Sequence, residues 1–154
     1  MAITGGCRCG TVRYTLNVAA PPAVYACHCL DCQTWSGSAF TENFLVPRGL
    51  LELTGSLVTW QHTSPSGAQS TQQLCAVCYT RLFNINSRAP GRVFMRAGTL
   101  DESDQLMPVA HIWVSRKQPW VTIPDGVPTW PAAPNLPELD AALAKAAAGS
   151  GAQA

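Results

Sequence analysis

Short alternating runs dominate the hydrophobic pattern of this chain. From Thr11 to Leu16 apolar and polar residues alternate, placing Val12, Tyr14 and Leu16 on one face of a strand. Leu57 to Gln61, Gln72 to Leu74, Leu82 to Ile85 and Val93 to Ala97 are also short and rich in β-branched and aromatic residues, which predicts strands. Ser64-Pro65-Ser66-Gly67 predicts a turn between two of them. Ala110 to Ser115 predicts a further strand, with His111 and Trp113 on one face and Ile112 and Val114 on the other. A helical stripe occurs once, near the end: Asn135 can cap a segment carrying Leu136, Leu139 and Leu143. Gly149 to Ala154 reads as a disordered tail. The pattern predicts a mainly β domain over residues 1–134 and a short C-terminal helix with its tail over 135–154, with no dividing linker.

Composition narrows the class. A chain of 154 residues that is 47% hydrophobic can bury one sizeable core. Only 12% of residues are charged, the net charge is +1 and no basic run occurs, so a nucleic-acid footprint is absent. No apolar stretch of signal-peptide or membrane-helix length precedes the first cysteine, which points to a soluble cytoplasmic protein without a membrane partner. Thiols stay reduced in that compartment, and an odd count of seven cysteines does not suit a full disulfide framework.

Those seven cysteines fall in three tight clusters: Cys7 and Cys9 in GGCRCG, Cys27, Cys29 and Cys32 in CHCLDC, Cys75 and Cys78 in CAVC. A closed structural zinc site takes four ligands, and a catalytic one commonly takes three and keeps a position open. Cys7 and Cys9, two apart on an extended strand, would face the same way. Cys75 and Cys78 have the spacing of a zinc knuckle. The two pairs together make a tetrahedral site of four sulfurs, unless one pair is a redox dithiol or simply buried.

The triplet suits a metal held at a loop with its fourth position free, or a second closed site completed by His62 or His111. Three thiolates weaken the pull of zinc on bound water and favour a thiol as fourth ligand, held as its nucleophilic thiolate. That tendency points to thiol or thiol-adduct chemistry. His28, between two ligands, points away from the metal and can serve as a hydrogen-bond donor behind it.

Trp35, Ser36, Gly37 and Ser38 follow the triplet as a turn in which Ser36 and Ser38 can donate to a carbonyl or hydroxyl oxygen. His111 is a candidate for moving a proton, and Arg116 and Lys117 for meeting a substrate carboxylate. Trp60, Trp120 and Trp130 read as core or rim, and His62 as exposed.

GGCRCG, then CHCLDCQTWSGS, then CAVC, then the late His111-x-Trp113 segment resemble the glutathione-dependent formaldehyde-activating enzymes, a family that includes centromere protein V. The resemblance runs from about Gly5 to Trp130. It implies a β-tent fold of small stacked antiparallel sheets and two zincs per chain. The structural zinc falls to Cys7, Cys9, Cys75 and Cys78, and the catalytic zinc to Cys27, Cys29 and Cys32. It further implies a carbon–sulfur lyase that joins glutathione, or a similar small thiol, to formaldehyde or another small aldehyde as S-hydroxymethylglutathione or its analogue. A non-catalytic zinc-binding interaction module is the alternative that kinship with centromere protein V implies. Two positions depart from the family pattern: Gln33 stands where a basic residue is common, and Tyr79 where glycine is usual after the CxxC.

Overall fold

The computed structural model describes residues 2–64 and 66–150. They form two compact units, each discontinuous in sequence: Met1–Pro22 with Phe44–Gln105, and Ala23–Asn43 with Leu106–Ala154. The fold is mainly β.

In the first unit, β1 (Ala2–Gly6), β2 (Arg13–Asn17) and β5 (Leu51–Thr54) form an antiparallel sheet in the order β1-β2-β5. The predicted alternation of Val12, Tyr14 and Leu16 holds, since all three are buried, although the strand begins only at Arg13. Gly5 is a packing requirement: a Cβ there would lie 2.3 Å from Tyr14 Oη and 2.4 Å from the Thr99 carbonyl oxygen. Tyr14 Oη in turn shares a 2.8 Å hydrogen bond with Thr99 Oγ1, and burial pushes its phenol up to about 12.

The same unit contains an antiparallel meander of β6 (Leu57–Thr63), β7 (Gln69–Cys75), β8 (Arg81–Asn86) and β9 (Arg92–Arg96). β6, β7 and β8 each contain a predicted run and extend it, and β9 begins one residue before its predicted run and ends one residue short of it, at Arg96. The β6–β7 turn closes through Gly67 N–H to Ser64 O at 2.8 Å, and Pro65 of the predicted turn lies outside the described residues. Trp60 on β6 is half exposed and stacks on His62 at 4.7 Å, which, of the two expected places, core or rim, gives it the rim. Ser70, Gln72, Asn84 and Arg96 instead make a buried polar network, in which Gln72 and Asn84 both donate to Ser70 Oγ and the Arg96 guanidinium donates to the side-chain oxygens of Gln72 and Asn84.

In the second unit β3 (Val24–Cys27) pairs antiparallel with β4 (Thr41–Pro47), whose residues from Phe44 belong to the first unit. On its other side β3 pairs in parallel with β10 (Pro108–Ile112). The short helix α1 (Leu30–Ser36) separates β3 from β4. The predicted strand to Ser115 stops at Ile112 because Trp113 turns left-handed, φ +58°, into a 3-10 turn, so His111 and Trp113 do not share a strand face. Residues 128–131 return beside this segment: His111 N–H donates to Pro128 O and Trp130 N–H to His111 O.

Helix α2 (Leu136–Ser150) begins where predicted, with Asn135 Oδ1 accepting from Glu138 N–H at 2.9 Å and Leu139 buried. It continues through Gly149 and Ser150, part of the expected tail, and residues 151–154 of that tail lie outside the described residues. No described helix is long and apolar enough to cross a membrane.

Candidate metal centres

Two groups of thiols come together, one in each unit, and every cysteine belongs to one of them. In the first unit the sulfurs of Cys7, Cys9, Cys75 and Cys78 all lie within 4.8 Å of one another. The pairing of clusters matches the ligand count, but the local geometry differs from the extended strand expected for Cys7 and Cys9. β1 ends at Gly6, where a tight turn carries both cysteines and closes through Gly10 N–H to Cys7 O at 3.1 Å. Gly10 has φ +80°, open to glycine without strain, and this turn brings Cys7 Sγ to 3.4 Å from Cys9 Sγ.

The facing turn is the knuckle after β7. Cys75 N–H donates to Thr80 O, Tyr79 N–H donates to Cys75 O, and Tyr79 takes φ +57°. The left-handed region explains why glycine suits this position, and Tyr79 occupies it at some conformational cost while its ring stays exposed. Backbone N–H groups of Val77 and Cys78 point at Cys75 Sγ (3.4 and 3.5 Å), and Val12 N–H points at Cys7 Sγ (3.2 Å). Hydrogen bonding from Thr80, through hydroxyl and backbone, pulls the Cys78 thiol down to about 5. Arg8 N–H also reaches Thr80 Oγ1, at 3.1 Å, and so ties the two turns together.

The donor set fits a tetrahedral metal. Zinc–sulfur bonds of about 2.3 Å require sulfur–sulfur edges of roughly 3.8 Å. Cys9 Sγ to Cys75 Sγ is 3.8 Å, and the N–H groups aimed at sulfur suit thiolates rather than thiols.

In the second unit Cys27, Cys29 and Cys32 are buried with their sulfurs within 4.8 Å of one another. They do not sit on a loop. Cys27 ends β3, Cys29 is the N-cap of α1, and Cys32 lies in its first turn, where its N–H points at Cys29 Sγ (3.4 Å). A sulfur thus takes the capping place usually held by Ser, Thr, Asp or Asn. Thr41, opposite Cys27 in the strand register, donates through Oγ1 to Cys32 O at 3.1 Å. The thiols of Cys29 and Cys32, and then burial, push Cys27 well above the usual thiol range, so these groups resist ionising together without a cation. This set fits a soft divalent metal through three sulfurs, and among the described residues no histidine or carboxylate joins either cluster.

The remaining candidates surround the triplet. Ser36 and Gly37 are the end of α1 rather than a free turn. Ser36 Oγ donates to Cys32 O at 2.8 Å and accepts from Ser38 N–H, and Gly37 closes the helix with φ +63°. Trp35 and Trp120 are 38% and 73% exposed, so neither is core, and Trp130 is half-buried. His28 is fully buried, its ring tilted at 54° against Phe40 and stacked on His111, and its Nε2 meets His111 Nδ1 at 2.9 Å. Burial, then His111 and Lys117, lower its imidazole to about 4. The register sets His111 opposite Ala26 and Ile112 opposite Cys27, which puts His111 on the sheet face away from the Cys27 side chain.

Sequence reasoning marked Gln33 only as a departure from the family pattern and missed its contacts. Its Nε2 donates to His28 O (2.7 Å) and Arg116 O (2.8 Å), and its Oε1 accepts from Gln118 Nε2 (2.8 Å). Lys117 Nζ is similarly engaged, by Val121 O (2.7 Å) and Gln118 O (3.2 Å). Nothing in the residue types marked these long-range partners.

Comparison with known proteins agrees with this architecture. No curated protein matches the chain. A crystal structure of a Rhodobacter sphaeroides protein superposes with a TM-score of 0.52 over 64% of this chain and 88% of that one, at 16% identity, which relates the folds. The sequence profile of the glutathione-dependent formaldehyde-activating enzymes matches residues 2–116, three quarters of the chain and both thiol clusters. The chain belongs to the glutathione-dependent formaldehyde-activating enzyme family.

Proposed function

We propose that this protein is a zinc-dependent carbon–sulfur lyase or synthase acting on a small thiol, glutathione or similar, and a small aldehyde, in the manner of an S-hydroxymethylglutathione synthase. In the forward direction the thiol sulfur bonds to the aldehyde carbon, and the thiol proton ends on the aldehyde oxygen. The reverse step breaks that bond and releases both reactants. The observation that carries the reading is the buried trio Cys27, Cys29 and Cys32, three donors without a fourth from the described residues.

Zinc bound there supplies Lewis acidity and an open position for a sulfur or an oxygen. The chain's own part is to hold the three sulfurs and shield them. Cys29 caps α1, Thr41 and Ser36 hold the Cys32 carbonyl, and Gln33 fixes the His28 backbone between the first two ligands. In this proposal Ser36 and His111 act as positioning residues, His111 through its bond to the His28 ring. Cys7, Cys9, Cys75 and Cys78 hold a structural zinc that joins two turns distant in sequence. Seven free thiols suit the reducing cytoplasm.

The test is exchange of labelled formaldehyde with a panel of small thiols, with and without zinc-loaded protein. Acceleration that Cys29→Ser abolishes supports the proposal. No acceleration for any thiol at two zincs per chain overturns it and leaves a zinc-binding interaction module.

A further inference from the structure

The three-thiol centre fixes a number of donors as well as their type. The sulfurs of Cys27, Cys29 and Cys32 lie within 4.8 Å of one another, and among the described residues no histidine or carboxylate joins them. The hydroxyls beside them are engaged, since Ser36 Oγ and Thr41 Oγ1 both donate to the Cys32 carbonyl. The fold itself brings the sulfurs together: Cys27 ends β3, Cys29 caps α1, and Cys32 N–H points back at Cys29 Sγ. The three residues are only 6%, 7% and 9% exposed, a setting that favours a soft, compact and uncharged ligand. Zinc prefers four donors and must take one from outside this set. Trivalent arsenic needs only three. It bonds three sulfurs in a pyramid, and its own lone pair fills the fourth direction. In neutral water it is present as arsenous acid, a small uncharged molecule.

We infer that Cys27, Cys29 and Cys32 form a binding site for trivalent arsenic, which replaces zinc there and leaves the four-sulfur group intact. One arsenous acid and three thiols give three arsenic–sulfur bonds and three waters, with no change of oxidation state. Where the sulfurs start as zinc thiolates, solvent supplies the three protons and zinc leaves as the divalent ion. Bond counting separates the two groups. At the trio, three zinc–sulfur bonds are exchanged for three arsenic–sulfur bonds. At Cys7, Cys9, Cys75 and Cys78, four must break for three to form, one sulfur is stranded and the metal clasp between two turns is lost. The inference rests on the trio holding metal through three sulfurs, and it stands whether or not the centre is catalytic.

Zinc-loaded protein is titrated with sodium arsenite, and zinc and arsenic per chain are counted after desalting. X-ray absorption at the arsenic edge reads the neighbours of the bound atom. The expected result is one arsenic gained and one zinc released per chain, with three sulfur neighbours and no oxygen. Cys29→Ser leaves two thiols at the site and should weaken arsenic binding about a hundredfold or more, because the third bond forms within an already tethered complex. Two sulfurs and an oxygen around arsenic, loss of both zincs, or no arsenic retained from excess arsenite would overturn the inference. The absorption spectrum of the parent chain decides this even where the serine variant does not fold. Formaldehyde exchange is measured on the same zinc-loaded protein. Exchange without arsenic binding overturns the inference alone, and arsenic binding to a protein that exchanges nothing supports the inference while removing the proposed catalysis.

Discussion

His28 Nε2 and His111 Nδ1 meet at 2.9 Å inside the second unit, and one shared proton joins two buried imidazoles. Among the described residues the His28 Nδ1 has no hydrogen-bond partner. Both rings are held below the ordinary imidazole range, His111 by burial and His28 by burial and then by its charged neighbours. The pair is therefore built to be neutral.

A pH dependence follows from the His111 shift. Its folded-state pKa lies below the unfolded value of about 6.5. As pH falls through 6.5 the unfolded chain takes up a proton that the folded chain resists, so stability is full above that pH and declines below it. Denaturant titrations between pH 7.5 and 5 should give a shallower decline for His111→Asn than for the parent chain. An identical slope would mean that His111 titrates freely in the fold.

The two thiol groups should respond differently to the loss of one sulfur. Cys78→Ser removes one of four ligands tying two turns, so the first unit should lose its cooperative melting transition, since structural zinc binding amounts to roughly 10 kcal/mol or more of folding energy. Cys29→Ser should keep that transition and lose one equivalent of zinc. Circular dichroism melts with elemental analysis decide it, and a collapse of Cys29→Ser as severe as that of Cys78→Ser would refute the division of roles.

Tyr79 sits at φ +57° with its ring exposed, so replacing it removes strain and little packing. Tyr79→Gly should stabilise the zinc-loaded protein by about 1 kcal/mol, and Tyr79→Val should destabilise it, because a β-branched residue tolerates this region least. A loss of stability in the glycine variant would show that the ring has a packing role.

Gly5 tolerates no Cβ against Tyr14 and the Thr99 carbonyl. Gly5→Ala should cost about 2 kcal/mol or more, as overpacking does in a rigid core. The double variant Gly5→Ala with Tyr14→Phe should recover only part of it, because the Thr99 carbonyl oxygen stays in place.

Gln33→Ala should leave overall melting near that of the parent and release zinc from the second site about tenfold more readily, as loss of a supporting hydrogen bond commonly does. Competition with a coloured chelator reads this directly, and unchanged release would confine Gln33 to surface packing.

The two thiol groups were legible because thiol spacing is chemistry written locally: pairs and a triplet remain pairs and a triplet however the chain folds. The strands of the β6–β9 meander were legible from their β-branched and aromatic residues, with their ends extended or shifted by pairing. Helix α1 was not, since its cap is the Cys29 sulfur and its seven residues give no stripe. β3 is buried throughout, so VYAC shows no alternation, and β1 reads as a glycine-rich turn because two of its five residues are Gly5 and Gly6. The Ser70, Gln72, Asn84 and Arg96 network escaped for a related reason: polar residues mark solvent until their partners on neighbouring strands are known.

The interleaving of the two units sets an order of events during synthesis. Cys27, Cys29 and Cys32 leave the ribosome almost together, whereas Cys7 and Cys9 must wait for Cys78 before their set of four is complete. The three sulfurs of the trio are thus all made well before the other set is complete. β10, which pairs with β3 as far as Cys27, is made later than either set.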